Sequence, residues 1–427
     1  MITARIAGQS HALPYDLRAF VSSWLERLMR NVVAVLILSG SVTVFAADWP
    51  QWRGPNRDGL STETGLLTSW PAGGPRVEWR AKGLGEGYST VAVAGGRVFT
   101  QGQSGNQEFV LALDAKTGSR IWLTATGRSF RESRGNGPRG TPTIDGDRLY
   151  AMAADGLLSC LDAATGKSIW SQNVLQKFGG SQIPWGISES PLIDGPHVIV
   201  TPGGRGASVV ALNKNDGALV WKGGSDQAGY ASAVTADIGG VRQVITLTSD
   251  AALGVRADNG QVLWRYTKVA NNTANIATPI VSDGHVFLST SYDTGGALLR
   301  LDAKGATEVY FTRRMKNHYS TSVLVGDVLY GYDDSMLTAM RFKTGDVLWR
   351  HRSVGKGSVL YADKHLYVLG EDGTVGLVEA REDQYREISR FEIPAGRYPT
   401  WAPPVIANGR MYIREQDNLL AFDVQSR

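Results

Sequence analysis

Residues 140–170 read GTPTIDGDRLYAMAADGLLSCLDAATGKSIW. Three turn signals divide this stretch into four short apolar runs: Asp145-Gly146, Asp155-Gly156 and Ala164-Thr165-Gly166. Asp-Gly favours the tight turns that join antiparallel strands, because glycine accepts a positive φ without strain. The runs between the turns have strand length and carry Ile, Leu, Tyr and Trp. The stretch therefore predicts a four-stranded antiparallel meander closed by Trp170.

The same ending recurs along the chain. Trp122 closes VLALDAKTGSRIW, Trp221 closes VVALNKNDGALVW, Trp264 closes GVRADNGQVLW and Trp349 closes TAMRFKTGDVLW. A degenerate copy, LLRLDAKGATEVY, ends at Tyr310. Four strands repeated about every 40–50 residues specify a β-propeller, in which each blade buries its faces on its neighbours. Each repeated Trp is first a packing residue, contributing on the order of 2–3 kcal/mol by burial. First strands are expected near Ser89, Thr141, Ser190, Ala233, Thr278, Ser322, Ser358 and Pro403. The fold class is thus all-β, with eight blades of four antiparallel strands over 77–427.

The ends of the repeat region complete each other. Residues 77–81 look like a fourth strand without its first three, whereas 402–424 offers only three strands. An N-terminal strand carrying Trp79 would close the last blade and remove an open sheet edge. Residues 47–76 lack periodicity and are rich in Pro and Gly. They are expected to form an extended arm packed on the propeller by Trp49, Trp52 and Trp70.

Residues 1–46 read as a signal peptide. Arg27 and Arg30 precede an apolar run, Val32–Val44, too short for a membrane span. Cleavage is expected after Ala46, and Met29 offers an alternative start that would make 1–28 an over-extension. The net charge is +4; the leader carries four arginines against two acids, so the remainder holds +2. That balance gives no basis for a nucleic-acid partner. The single cysteine, Cys160, can form no intramolecular disulfide and is expected to be buried.

Nearly all extra length falls on one face, where fourth strands lead to the next first strand and second strands turn into third strands. Residues 124–140 and 171–189 are long connections of this kind. Function usually sits on loops displayed by a rigid scaffold. Aligning the residues that lead into the first strands gives a ring around the axis: Glu86, Tyr88, Arg139, Trp185, Glu189, Tyr230, Asn275, His318, Tyr319, Lys356 and Trp401. A concave, partly aromatic ring with convergent polar groups is a ligand-site candidate. In this register Glu189 should lie beside Arg139 or Lys356, because a partly buried carboxylate needs a partner. His318 is expected to titrate near neutrality.

The LDAxTGxxxW ending resembles the repeat of the pyrroloquinoline-quinone-type (PQQ-type) propellers, which include the quinoprotein alcohol dehydrogenases and the outer-membrane assembly factor BamB. The opening DWPQWRGPNRDG, residues 48–59, resembles exported bacterial proteins described as BamB-like or PQQ-binding-like. The dehydrogenase resemblance implies a vicinal Cys-Cys disulfide and a calcium set of carboxylate, amide and Asp beside the quinone. One cysteine cannot make that disulfide, and Glu189 and Asn275 are the only distant echoes of the calcium set. The BamB resemblance implies a lipid-bearing cysteine, but Ser41 stands at the comparable place, in Leu38-Ser39-Gly40-Ser41. The reading is therefore a non-catalytic, BamB-like binding or scaffolding protein, periplasmic or secreted, monomeric and without a lipid anchor. It would take a protein, glycan or small ligand on the long-loop face and axial pocket. No cofactor is expected. The alternative is a PQQ- and calcium-dependent dehydrogenase.

Overall fold

The computed structural model describes residues 47–394 and 396–426, so the expected leader lies outside the described residues. Among the described residues the strands pair into eight antiparallel meanders, each of four consecutive strands except the last. Blades 1 to 7 span 92–128, 143–173, 192–223, 234–266, 280–312, 323–351 and 357–392. Their first strands begin within three residues of the expected starts. Blade 8 combines Val405–Ala407, Arg410–Glu415 and Asn418–Asp423 with Val77–Lys82 from the other end of the chain. Trp79 pairs with Ala421 in this composite sheet, and the propeller closes as the eight-bladed pattern requires.

A β-bulge recurs in every fourth strand. The register slips beside Trp79, Trp122, Trp170, Trp221, Trp264, Tyr310, Trp349 and Ser389. A bulge re-aims the side chain that follows it. Here it directs the indole N–H across to the adjacent blade. Trp79 Nε1 donates to Ala115 O at 3.1 Å, Trp122 to Ala163 O at 3.2 Å and Trp170 to Lys214 O at 3.1 Å. Trp221 donates to Ala257 O at 2.7 Å and Trp349 to Arg381 O at 2.9 Å. Tyr310 makes the same bond with its hydroxyl, to Phe342 O at 2.8 Å, which explains why the degenerate repeat still fits. Blade 4 uses a relay: Trp264 donates to Gln243 Oε1, and Gln243 Nε2 donates on to Asp302 O of blade 5. Each repeated aromatic thus buries its ring and satisfies its polar edge in one placement.

Blade 7 has Ser389 where the others have an aromatic residue. The arm supplies the missing ring. Trp70 lies 5.8 Å from Tyr367 and 5.4 Å from Phe391, and its backbone N–H donates to Ser389 Oγ at 2.8 Å. Tyr367 is the second-strand residue matching Tyr150, Tyr330 and Tyr412, each of which packs on its own blade's tryptophan.

The rest of the arm, expected to pack on the propeller through Trp49 and Trp52, runs across its axis. It touches the first strand, or the residues leading into it, of all eight blades. Trp49 bridges Val93 of blade 1, and Pro50 O accepts from Ile144 N of blade 2. Arg57 donates to Ser190 O at 3.1 Å and Ala233 O at 3.0 Å, reaching blades 3 and 4. Trp52 Nε1 donates to Thr278 Oγ1 of blade 5 at 2.9 Å. Arg53 donates to Thr321 O and Ser322 O, at the start of blade 6. Leu60–Ser61 adds a parallel strand beside Tyr361 and Ala362 of blade 7, and Ser61 Oγ donates to Ile406 O of blade 8. The segment 49–61 is a plug across the central channel. Its turn depends on Gly54, which has φ +85°, and a Cβ there would meet the Trp49 ring at 2.8 Å.

Two loop assignments change. Arg120–Arg128 is one long strand, so the connection into blade 2 starts later than expected. Ser168–Asn173 is strand and Val174–Phe178 is a short helix. Asn173 caps it by accepting from Gln176 N at 2.9 Å. Cys160 lies buried in the third strand of blade 2. Among the described residues no helix is long and apolar enough to cross a membrane.

Candidate functional site: an aromatic cup on the axis

A cavity of about 560 Å³ opens at the axis on the long-loop face. Eight of the eleven candidate residues line it: Tyr88, Arg139, Trp185, Tyr230, His318, Tyr319, Lys356 and Trp401. They come from connections far apart in sequence, and the repeat register brings them to one place. Trp52 of the plug joins them in the lining. Trp401 packs between Tyr88, at 5.0 Å, and Tyr319, at 5.5 Å and stacked at 28°. Trp185 and Tyr230 pair at 5.5 Å in the connections into blades 3 and 4. Tyr292 covers His318 at 5.0 Å.

The charged groups are held by the loops. Arg139 Nη2 donates to Glu132 at 2.8 Å and to Gly135 O at 3.0 Å, and Nη1 donates to Gly137 O at 3.0 Å. Its guanidinium lies 5.1 Å from the Tyr88 ring centroid, a cation–π distance. Burial lowers its pKa, with Glu132 opposing. Lys356 Nζ stands 3.8 Å from Glu371, whose other oxygen accepts from Trp401 Nε1 at 2.6 Å.

Three candidates lie elsewhere. Glu189 is 2% exposed and sits outside the lining. Its oxygens accept from Thr201 N and Thr201 Oγ1, both at 2.7 Å. The charge acting on it is Arg57 of the plug, and not Arg139 or Lys356. It is the residue just before Ser190, whose carbonyl Arg57 holds, so it belongs to the wall around the plug. Asn275 is also buried: Nδ2 donates to Thr248 O at 2.9 Å and Ser249 O at 2.8 Å, tying the connection into blade 5 to the second-to-third turn of blade 4. Glu86 accepts from Asn136 Nδ2 at 2.7 Å and ties the blade 1–2 connection in place outside the cup. His318 corrects the titration expectation. Burial, with Lys356 adding to it, pulls its pKa down to about 4, so the ring is neutral at physiological pH.

The sequence reading missed Trp52, Arg134, Tyr292 and Glu371 in the lining. Tyr292 and Glu371 stand in second-to-third turns, which share this face with the connections that were aligned. Arg134 lies within the long 124–140 stretch. Trp52 carried no positional signal, because the arm has no repeat to align.

Residues 106–351 match the family described as outer membrane protein assembly factor BamB. The BamB of Yersinia pestis is 24% identical over 329 residues, covering 71% of this chain and 77% of that protein. Among solved structures, BamB from Moraxella catarrhalis superimposes with a TM-score of 0.62 at 16% identity, covering 82% of this chain and 99% of that one. The quinohemoprotein alcohol dehydrogenase of Comamonas testosteroni gives 0.65 at 13% identity, with 89% and 80% covered, which is likeness of fold. Similar repeats, the same eight-bladed ring and a match over more than half its length place the chain in one family: it belongs to that of the outer membrane protein assembly factor BamB.

Proposed function

We propose that this protein is an exported, non-catalytic scaffold that holds a protein partner on its long-loop face, with the aromatic cup at the centre of the contact. It acts as a monomer in the periplasm or outside the cell, without a lipid anchor and without binding nucleic acid. One observation carries the reading: the lining is aromatic, and its acid is engaged by neighbouring side chains. Glu371, the one carboxylate of the lining, already takes Trp401 and Lys356. Calcium needs six to eight oxygen ligands. The echo residues Glu189 and Asn275 spend their polar atoms on Thr201, Thr248 and Ser249. These residues do not fit a calcium-bound quinone. The aromatic anchors instead suit a binding surface, where rings in desolvated pockets carry most of the energy.

Three measurements check this. Intact mass of the periplasmic protein is expected to place the N-terminus at or near Ala47; a protein retaining Met1 or Met29 refutes export. Titration with PQQ and calcium is expected to give neither stoichiometric binding nor alcohol-dependent dye reduction. Site-specific photo-crosslinkers at Trp185 and Arg205 on the long-loop face should capture one discrete partner, whereas a crosslinker at Lys304 on the opposite face should not. Turnover with the quinone, or capture from Lys304 alone, would overturn the reading.

A further inference from the structure

We propose that the cup receives an acidic peptide segment bearing an aromatic side chain, presented by the partner protein. This rests on the scaffold reading and deepens it. The cavity volume lies within the roughly 300–1,000 Å³ of ligand pockets, so it has room for more than one side chain. In a ring of eight, blade 4 faces blade 8. Tyr230 with Trp185 therefore stands across the axis from Trp401 with its stacked neighbours. An inserted ring meets aromatic faces on both sides, which favours offset or edge-to-face contacts.

The charge decides the sign of the segment. Three cations line the cavity, Arg134, Arg139 and Lys356, against Glu371 alone. Glu132 occupies Arg139. Lys356 reaches Glu371 only at 3.8 Å. Among the described residues the Arg134 guanidinium has no hydrogen-bond or ion-pair partner. The lining thus has an excess of positive charge, with Arg134 at the rim and Lys356 shared loosely between Glu371 and the Tyr319 ring, suited to carboxylates. His318, which lines the cup, has its Nδ1 buried with no hydrogen-bond partner among the described residues.

The loops that deliver these groups are strained. Tyr292 and Asp293 have φ of 55° and 61°, Met315 of 55° and Ser353 of 50°. Tyr292 and Asp293 form the turn over His318, Met315 leads to it, and Ser353 leads to Lys356. Left-handed backbone is unfavourable for non-glycine residues, and such strain persists where it positions functional groups. Tyr292 is also 38% exposed, an aromatic ring displayed at the rim. A neutral sugar uses the lining less well, because its hydroxyls carry no charge for Arg134 and Lys356 to pair with.

The test uses the mature chain and a fluorescein-labelled hexapeptide with one phenylalanine between two glutamates. Anisotropy should show saturable binding that weakens with added salt. Exchanging the glutamates for lysines, or the phenylalanine for alanine, should each weaken it by about tenfold or more. Lys356→Glu and Arg134→Glu should do the same, with unchanged thermal unfolding confirming intact folds. Arg131→Glu is the control: Arg131 lies on the same connection, outside the cup, and donates to Gly105 O. It should change affinity by less than about twofold. The proposal fails if no acidic aromatic peptide saturates, if Arg131→Glu weakens binding as much as Lys356→Glu, or if a uronic-acid disaccharide binds more tightly. Failure here with successful crosslinking from Trp185 and Arg205 would leave the scaffold reading standing.

Discussion

Arg57→Ala is expected to lower stability by about 3–5 kcal/mol, the cost of removing one partner from a buried charged network. Arg57 is 4% exposed. Its donors reach Gln51 Oε1 at 2.8 Å, Ser190 O, Ala233 O and Pro191 O, with Thr143 Oγ1 at 3.5 Å. One side chain therefore satisfies carbonyls from blades 3 and 4 and touches blade 2. Alanine would leave these carbonyls buried and unpaired, each at about 1–3 kcal/mol before relaxation. Burial draws the Arg57 pKa down to about 9, with Glu189 opposing, so the cation is still present at neutral pH. Lysine cannot replace the planar fork, and Arg57→Lys should recover less than half of the loss. Urea titration followed by tryptophan fluorescence reads both variants. A loss below about 1 kcal/mol for Arg57→Ala would show that the plug does not hold the blades. Arg53 shares the same turn, donating to Arg57 O and Asp58 O, so the double variant should lose less than the two single losses added together.

Glu189→Gln is expected to stabilise the protein at pH 8, by on the order of 2–3 kcal/mol, and to leave it unchanged near pH 4. Complete burial pushes the Glu189 pKa up from 4.5 to about 7, against the hydrogen bonds from Thr201 and the field of Arg57. The folded state then binds more protons than the unfolded state between these values. The contribution of this group is fully present below about pH 4.5 and is lost as pH rises through about 7. Glutamine imitates the protonated acid: its carbonyl can accept from Thr201 N, and its amide can donate to Thr201 Oγ1. Glu108 has the same sign, since burial lifts it to about 8. His318, drawn down to about 4, acts in the opposite sense below about pH 6.5, so the wild type should lose stability most steeply from pH 6.5 to 8, and the difference between wild type and Glu189→Gln isolates the Glu189 share. Chemical denaturation at pH 4, 6 and 8 checks the slope. A variant less stable than wild type at pH 8 would mean that the ionised Glu189–Arg57 interaction outweighs desolvation.

The sequence by itself determined the blades. Asp-Gly turns and the aromatic residue in seven of the eight fourth strands are local signals repeated in register, so eight copies could be counted. Trp79 could be assigned to a blade whose other strands lie more than three hundred residues away. The same register brought Tyr88, Trp185, Tyr230, His318, Tyr319 and Trp401 to one opening, because equivalent positions in equivalent blades meet at the axis. Tertiary structure alone decided what fills the channel and who pairs with whom. Arg53 and Arg57 bond mostly to backbone carbonyls, which every residue carries, so nothing in the sequence names their partners. Trp70 completes blade 7 from outside the repeat, where there is no period to place it. Glu189 stands one residue from carbonyls held by the plug and turns into the wall, whereas Lys356 turns into the cup. In the connection into blade 3, Ser188 lines the cavity while Glu189 beside it is buried against Thr201, a difference that the local backbone path decides and residue type does not.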